Sequence, residues 1–153
     1  MTSLDSLNED FRDLIRTFVA EEVEFVVVGA YALALHGLPR ATGDIDVLVR
    51  PSFDNASRVI RALIRFGAPV EAAGLTEADL AQPGIVYQIG LPPRRVDVLT
   101  EITGVDFDEA WASRVVARFD EGPVFFLGRD ALIKNKRATG RTKDLADAES
   151  LES

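Results

Sequence analysis

The chain has 153 residues, of which 47% are hydrophobic and 27% charged, a balance that suits one folded domain and excludes a disordered chain. It contains no cysteine, which removes disulfides, thiolate metal sites and a cysteine nucleophile. With 17 basic and 25 acidic residues the net charge is −8, which opposes binding along an extended nucleic-acid duplex.

The first residues are polar and acidic (Asp5, Glu9, Asp10, Asp13) and lack the basic start and apolar run of a signal peptide. No apolar stretch approaches the ~18 residues of a membrane span. A soluble, cytoplasmic protein that does not engage a membrane is expected. Residues 7–22 carry Leu7, Phe11, Leu14, Ile15, Phe18 and Val19 at helical spacing. Phe25 to Val28 is a β-branched run that reads as a buried strand ending at Gly29, followed by a helix over 30–36 that Gly37 and Pro39 stop. Residues 44–49 read as a second strand, and Ser52 opens a helix to about Phe66, ended by Gly67. A connection over 68–83 holds a short helix capped by Thr76.

Strands over 84–90 and 95–100, joined by Leu91-Pro92-Pro93-Arg94, predict an antiparallel hairpin. A short helix over 106–112 follows. Val115–Phe119 and Val124–Leu127 form a further pair around Glu121-Gly122-Pro123, and helices over 129–137 and 142–150 are separated at Gly140. No repeat, low-complexity tract or linker divides the chain. It reads as one α/β (α+β) domain over 1–153, a mixed β-sheet flanked by helices, with an N-terminal helix within 1–22 and a basic helical segment over 129–150.

Asp44 and Asp46 carry the most chemistry. Side chains at i and i+2 of a strand share a face, so the two carboxylates stand side by side while Ile45 and Val47 point into the core. Such a pair repels itself unless a hard divalent cation such as Mg²⁺ relieves it. The alternative is an exposed edge with solvated acids. Asp97 lies in Arg95-Val96-Asp97-Val98-Leu99, a second apolar strand interrupted by an acid. If the two strands are neighbours, three carboxylates converge and can hold two metal ions, one activating a hydroxyl and one steadying a leaving group. Otherwise Asp97 is a surface acid paired with Arg94 or Arg95.

Gly29, between strand and helix, lets a ligand approach the backbone and leaves free N–H groups for a phosphate, together with those of Ala30. The sequence has neither the G-x-G-x-x-G of a dinucleotide site nor the G-K-[ST] of a P-loop. Six basic residues against one acid lie between Arg129 and Lys143, which suits a confined phosphate-bearing ligand or a solvated helix face. Lys134 and Lys143 are the candidates for triphosphate contacts. Arg40 and Thr42, just before the acidic strand, are placed to meet a nucleotide or to orient Asp44. His36, the sole histidine, reads as a capping or packing residue, and Tyr31 and Trp111 as packing aromatics.

Together these residues resemble the DNA polymerase β-like nucleotidyltransferase superfamily: an apolar residue and a glycine turn (Val28-Gly29-Ala30), Asp-x-Asp on a strand (Asp44-Ile45-Asp46), and a later strand carboxylate (Asp97). Residues 29–37 followed by 40–46, and Lys134 with Arg141-Thr142-Lys143-Asp144-Leu145, are similar to the small prokaryotic members, including minimal nucleotidyltransferases and AbiEii-type proteins of toxin–antitoxin systems. The resemblance covers roughly residues 20–147. It implies transfer of a nucleoside monophosphate from an NTP such as ATP to a hydroxyl of RNA, for instance tRNA, of a cognate protein or of a small molecule. It implies two Mg²⁺ ions, or Mn²⁺ in their place, held by Asp44, Asp46 and Asp97, with Gly29 and Ala30 against the phosphates. The family has Gly or Ser where this chain has Ala30, which keeps the backbone N–H and supplies no hydroxyl. A nucleotide-binding or antitoxin-like module of the same fold is the second reading.

Overall fold

The computed structural model describes residues 9–39, 44–91 and 95–153. Among them, six strands form one mixed sheet: β1 (Phe25–Val28), β2 (Ile45–Val49), β3 (Val86–Ile89), β4 (Val96–Leu99), β5 (Val115–Phe119) and β6 (Gly122–Phe126), in the order β3-β4-β2-β1-β6-β5. The two outer hairpins, β3–β4 and β5–β6, are antiparallel, and so is the central pair β1–β2. The joins between them, β2–β4 and β1–β6, are parallel.

Alternation along the strands divides the core in two. Phe25 and Val27 of β1, with Ile45, Val47 and Val49 of β2, face α1 (Glu9–Ala20) and α3 (Phe53–Phe66). Val26, Val28 and Leu48 face the opposite way, toward α2 (Gly29–Leu35), α5 (Phe107–Ala112), α6 (Arg129–Thr139) and α7 (Thr142–Glu152). Both faces are covered, which explains why β1 is buried at all four positions and reads as a continuous apolar run. On α1, Phe11, Leu14, Ile15 and Phe18 form the buried stripe that their helical spacing predicts.

Local signals set the ends of these elements. The Ser52 hydroxyl accepts from the Asn55 N–H at 3.2 Å and starts α3; Gly67, at φ 97°, ends it in the left-handed conformation. Thr76 and Asp79 form a capping box on the four-residue α4 (Glu77–Leu80). Gly140, at φ 70°, turns the chain between α6 and α7.

Most element ends fall within two residues of the sequence reading, and two of the differences have a local cause. The first helix stops at Ala20 rather than 22, before Glu22 at φ 58°. Gly122 and Pro123 belong to β6 rather than to a turn, with Pro123 opposite Arg118. β6 meets β1 at Val27–Phe126, so the Pro123 end has a ladder only with β5, and a missing N–H is tolerated there. The predicted Pro-Pro turn falls on 92–94 and residues 7 and 8 on the first stretch, both outside the described residues.

Candidate active site

The sheet register brings the acids together. On β2 Asp46 is directly opposite Asp97 of β4 on one side and Val28 of β1 on the other. Neighbouring strands lie about 4.8 Å apart, so the two carboxylates meet on the face they share. Asp97 is only 7% exposed. Burial, then the charge of Asp97 and a hydrogen bond with it, push the Asp46 carboxyl up to about 7. This is the behaviour of two acids forced to share a proton in low-dielectric surroundings.

Gly29 follows Val28 and therefore sits over Asp46. Its φ is 68°, and a Cβ built there would lie 2.2 Å from Asp46 Oδ2. The position thus requires glycine twice, for its backbone conformation and for the space the carboxylate occupies.

Asp44 precedes β2 and is tied to β4. Its Oδ1 accepts the Arg95 backbone N–H at 3.0 Å. The Arg95 side chain then reaches back along its own strand: Nε donates to Asp97 Oδ1 at 2.9 Å and Nη2 to Oδ2 at 3.4 Å, while Nη2 stands 3.9 Å from Asp44 Oδ2. Asp97 is therefore both the buried neighbour of Asp46 and the ion-pair partner of Arg95, one of the two arginines that the sequence offers it.

Asp46 and Arg95 line a cleft of about 810 Å³. Val28, Gly29, Ala30 and Leu33 line it from one stretch of the chain; Asn135, Lys136, Thr139, Arg141 and Lys143 line it from another, together with the acids Asp144 and Asp147. These acids fix Lys136 and Arg141. Asp144, buried at the start of α7, accepts from Lys136 Nζ at 3.2 Å, Thr139 Oγ1 at 2.6 Å and Arg141 Nε at 2.8 Å. Burial alone would raise its carboxyl, but these donors outweigh that and hold it below the usual carboxylate range. Lys136 Nζ is also 3.7 Å from Asp147 Oδ2. Lys143 lines the cleft and makes no ion pair among the described residues.

Gly29, Ala30, Asp46 and Lys143 thus meet in one cleft, with Asp44 and Asp97 held against Arg95. Lys134 is not there. It pairs with Glu109 at 2.9 Å and lines a separate depression with Arg129 and Arg137. Lys136 takes the place expected for it, because residues two apart on a helix point to nearly opposite sides. Arg40 and Thr42 lie outside the described residues. His36 Nε2 is hydrogen-bonded to the Leu127 carbonyl at 2.8 Å, Tyr31 stacks on Phe11, and Trp111 packs with Phe107 and Phe125, all as packing groups.

Among the described residues no three His, Asp or Glu side chains stand together as a ready metal-ligand set. The donor chemistry nevertheless fits a hard divalent cation. Asp46 and Asp97 offer only oxygen and carry a mutual repulsion that such an ion relieves, and Asp44 is held by the same arginine as Asp97.

No protein-family model matches the chain, and no curated protein does. Among solved structures, that of a "putative nucleotidyltransferase" from Thermotoga maritima superposes with a TM-score of 0.55. The alignment covers 93% of this chain and 88% of that one at 17% identity. The two proteins share a fold. The nucleotidyltransferase fold is thus present over nearly the whole chain, with a mixed six-stranded sheet flanked by helices. No helix among the described residues is long and apolar enough to cross a membrane.

Proposed function

We propose that this protein is a Mg²⁺-dependent nucleotidyltransferase, able to use Mn²⁺, that moves a nucleoside monophosphate from an NTP to a hydroxyl acceptor. The observation that carries this reading is the register pairing of Asp46 with Asp97 beside Gly29, in a cleft that Lys136, Arg141 and Lys143 also line. A structural protein gains little from facing a buried carboxylate with a half-buried one. A phosphoryl-transfer site uses both features, anionic ligands for the cations and fixed cations for the phosphates.

In this reading Asp44, Asp46 and Asp97 hold two ions, which when bound lower the pKa of the acceptor hydroxyl and neutralise charge on the phosphates. Gly29 and the Ala30 N–H approach the triphosphate from one side; Lys136, Arg141 and Lys143 meet it from the other. The acceptor oxygen attacks the α-phosphorus, its proton passes to the Asp97 carboxylate, and the bond to the β-phosphate oxygen breaks to release pyrophosphate. ATP is the first nucleotide to test. Acceptors to test are tRNA and a cognate protein, the second following from the resemblance to AbiEii-type members of toxin–antitoxin systems. Such substrates place the protein in the cytoplasm.

The test is transfer of label from an NTP to RNA or protein in the presence of Mg²⁺. Wild type transfers, and Asp97→Asn lowers the rate by at least ~100-fold at unchanged fold. Unchanged transfer by that variant sinks the assignment. A second reading, a nucleotide-binding module without turnover, is favoured by one observation: Arg95 already occupies Asp97 and Asp44. Calorimetry separates the two, since Mg²⁺-dependent NTP binding without transfer to any acceptor supports the second.

A further inference from the structure

Arg95 pairs with two of the three acids and also lines the cleft. Its position is set by the strand. Residues 95 and 97 share a face, so the guanidinium folds over the carboxylate two residues on. The contact to Asp97 is a two-pronged fork, at 2.9 and 3.4 Å, and the same Nη2 extends toward Asp44 at 3.9 Å. The Arg95 main chain is locked as well: its carbonyl accepts the Ile45 N–H at 2.9 Å and its own N–H donates to Asp44. The side chain is 31% exposed on the cleft side. It is thus anchored at the backbone and open to solvent at the guanidinium.

A guanidinium on these oxygens fills the electrostatic position of a metal ion. The fork takes one lone pair on each Asp97 oxygen, and its positive charge repels a cation brought to the remaining ones, so the two compete for Asp97. Two cations that compete for one ligand set are linked, and each lowers the affinity of the other by the same factor. We infer that Arg95 is a resident counter-cation of the carboxylate site, which divalent-ion binding displaces from Asp97 and Asp44 into the cleft. The inference rests on the metal-dependent reading above and adds a gate to it: the site assembles as a metal site only when the arginine leaves.

The test is Mn²⁺ binding to the full-length protein without nucleotide, followed by electron paramagnetic resonance, with wild type, Arg95→Gln, Arg95→Lys and Lys143→Gln. Arg95→Gln binds Mn²⁺ at least about fivefold more tightly than wild type. Arg95→Lys keeps the charge, loses the fork, guards against a Gln variant that does not fold, and also binds more tightly. Lys143→Gln removes a positive charge from the same cleft without touching the acids, and its gain is smaller than either. In wild type, Mg²⁺ shifts the Arg95 Nε–H resonance, identified by its loss in Arg95→Lys. Equal gains for Arg95→Gln and Lys143→Gln, an unchanged affinity in both Arg95 variants, or an unmoved Nε–H resonance at saturating Mg²⁺ overturns the gate. If wild type binds Mn²⁺ in an Asp97-dependent way while the Arg95 variants do not differ from it, the gate fails and the metal-dependent reading stands. If no variant binds Mn²⁺, both fail.

Discussion

Asp46 is raised to about 7 by burial and by Asp97, so at neutral pH its ionised form costs the folded state free energy. The folded protein binds this proton more tightly than the unfolded chain, whose aspartates titrate near 3.8. Stability attributable to the site therefore falls as pH rises from about 4 to about 7. Asp46→Asn is expected to be the more stable protein at pH 8, by on the order of 2 kcal/mol, and to match wild type near pH 4, as urea unfolding will show. Mg²⁺ at pH 8 then stabilises wild type and not the variant. Gly29 is the steric partner of the same carboxylate. Gly29→Ala must relax a φ of 68° and a 2.2 Å approach to Asp46. A loss of about 1–3 kcal/mol of unfolding free energy in urea is expected, together with weaker Mn²⁺ binding, because the carboxylate is the group that can move.

Among the elements, the α6–α7 corner decides whether basic side chains line the cleft. Asp144 gathers Lys136, Thr139 and Arg141 as their buried anchor at the edge of the cleft. Asp144→Ala leaves Lys136, only 14% exposed, with Asp147 as its remaining partner. The variant is expected to lose about 3 kcal/mol of stability and to bind ATP–Mg²⁺ at least about tenfold more weakly by calorimetry. Asp144→Asn keeps the shape and loses less. The corner also marks what the sequence conceals. The density of basic residues over 129–143 is visible in the chain, but its phase is not. Lys134 and Lys136 differ only in which side of α6 they leave, and that depends on how the helix rolls onto Leu132 and Ala131. The same limit explains Pro123. It reads as a turn, yet it lies in β6 because that strand has a neighbour on only one side there.

At the scale of the molecule, the decisive contact spans 51 residues of sequence, from Asp46 to Asp97. β2 and β4 are parallel neighbours, which needs a long crossover, and α3 with α4 and β3 supplies it. The strands themselves are legible in the alternation of Ile45, Val47, Val96 and Val98 around the acids. Their adjacency is legible only as a condition, because pairing of distant strands is decided by the whole sheet. Gly29, Asp44, Asp46 and Asp97 stand out in the sequence since each breaks a local preference: a glycine at a strand end, acids within apolar strands. Lys136 breaks none, and its part emerges only from contacts; Arg95 is legible as one of two possible partners of Asp97, but its reach toward Asp44 is not. The net charge of −8 repels long polyanions, while Lys136, Arg141 and Lys143 line the cleft, an arrangement that favours a short phosphate chain over a duplex. Nucleotidyl transfer at the Asp46–Asp97 site is tested by a paired-label experiment. The protein is incubated with tRNA, or with a cognate protein, and either α- or γ-labelled ATP with Mg²⁺. The expected result is acceptor labelling from the α position alone, with labelled pyrophosphate released from the γ position, and loss of both with Asp97→Asn. Acceptor labelled from the γ position, or labelling that survives Asp97→Asn, contradicts it.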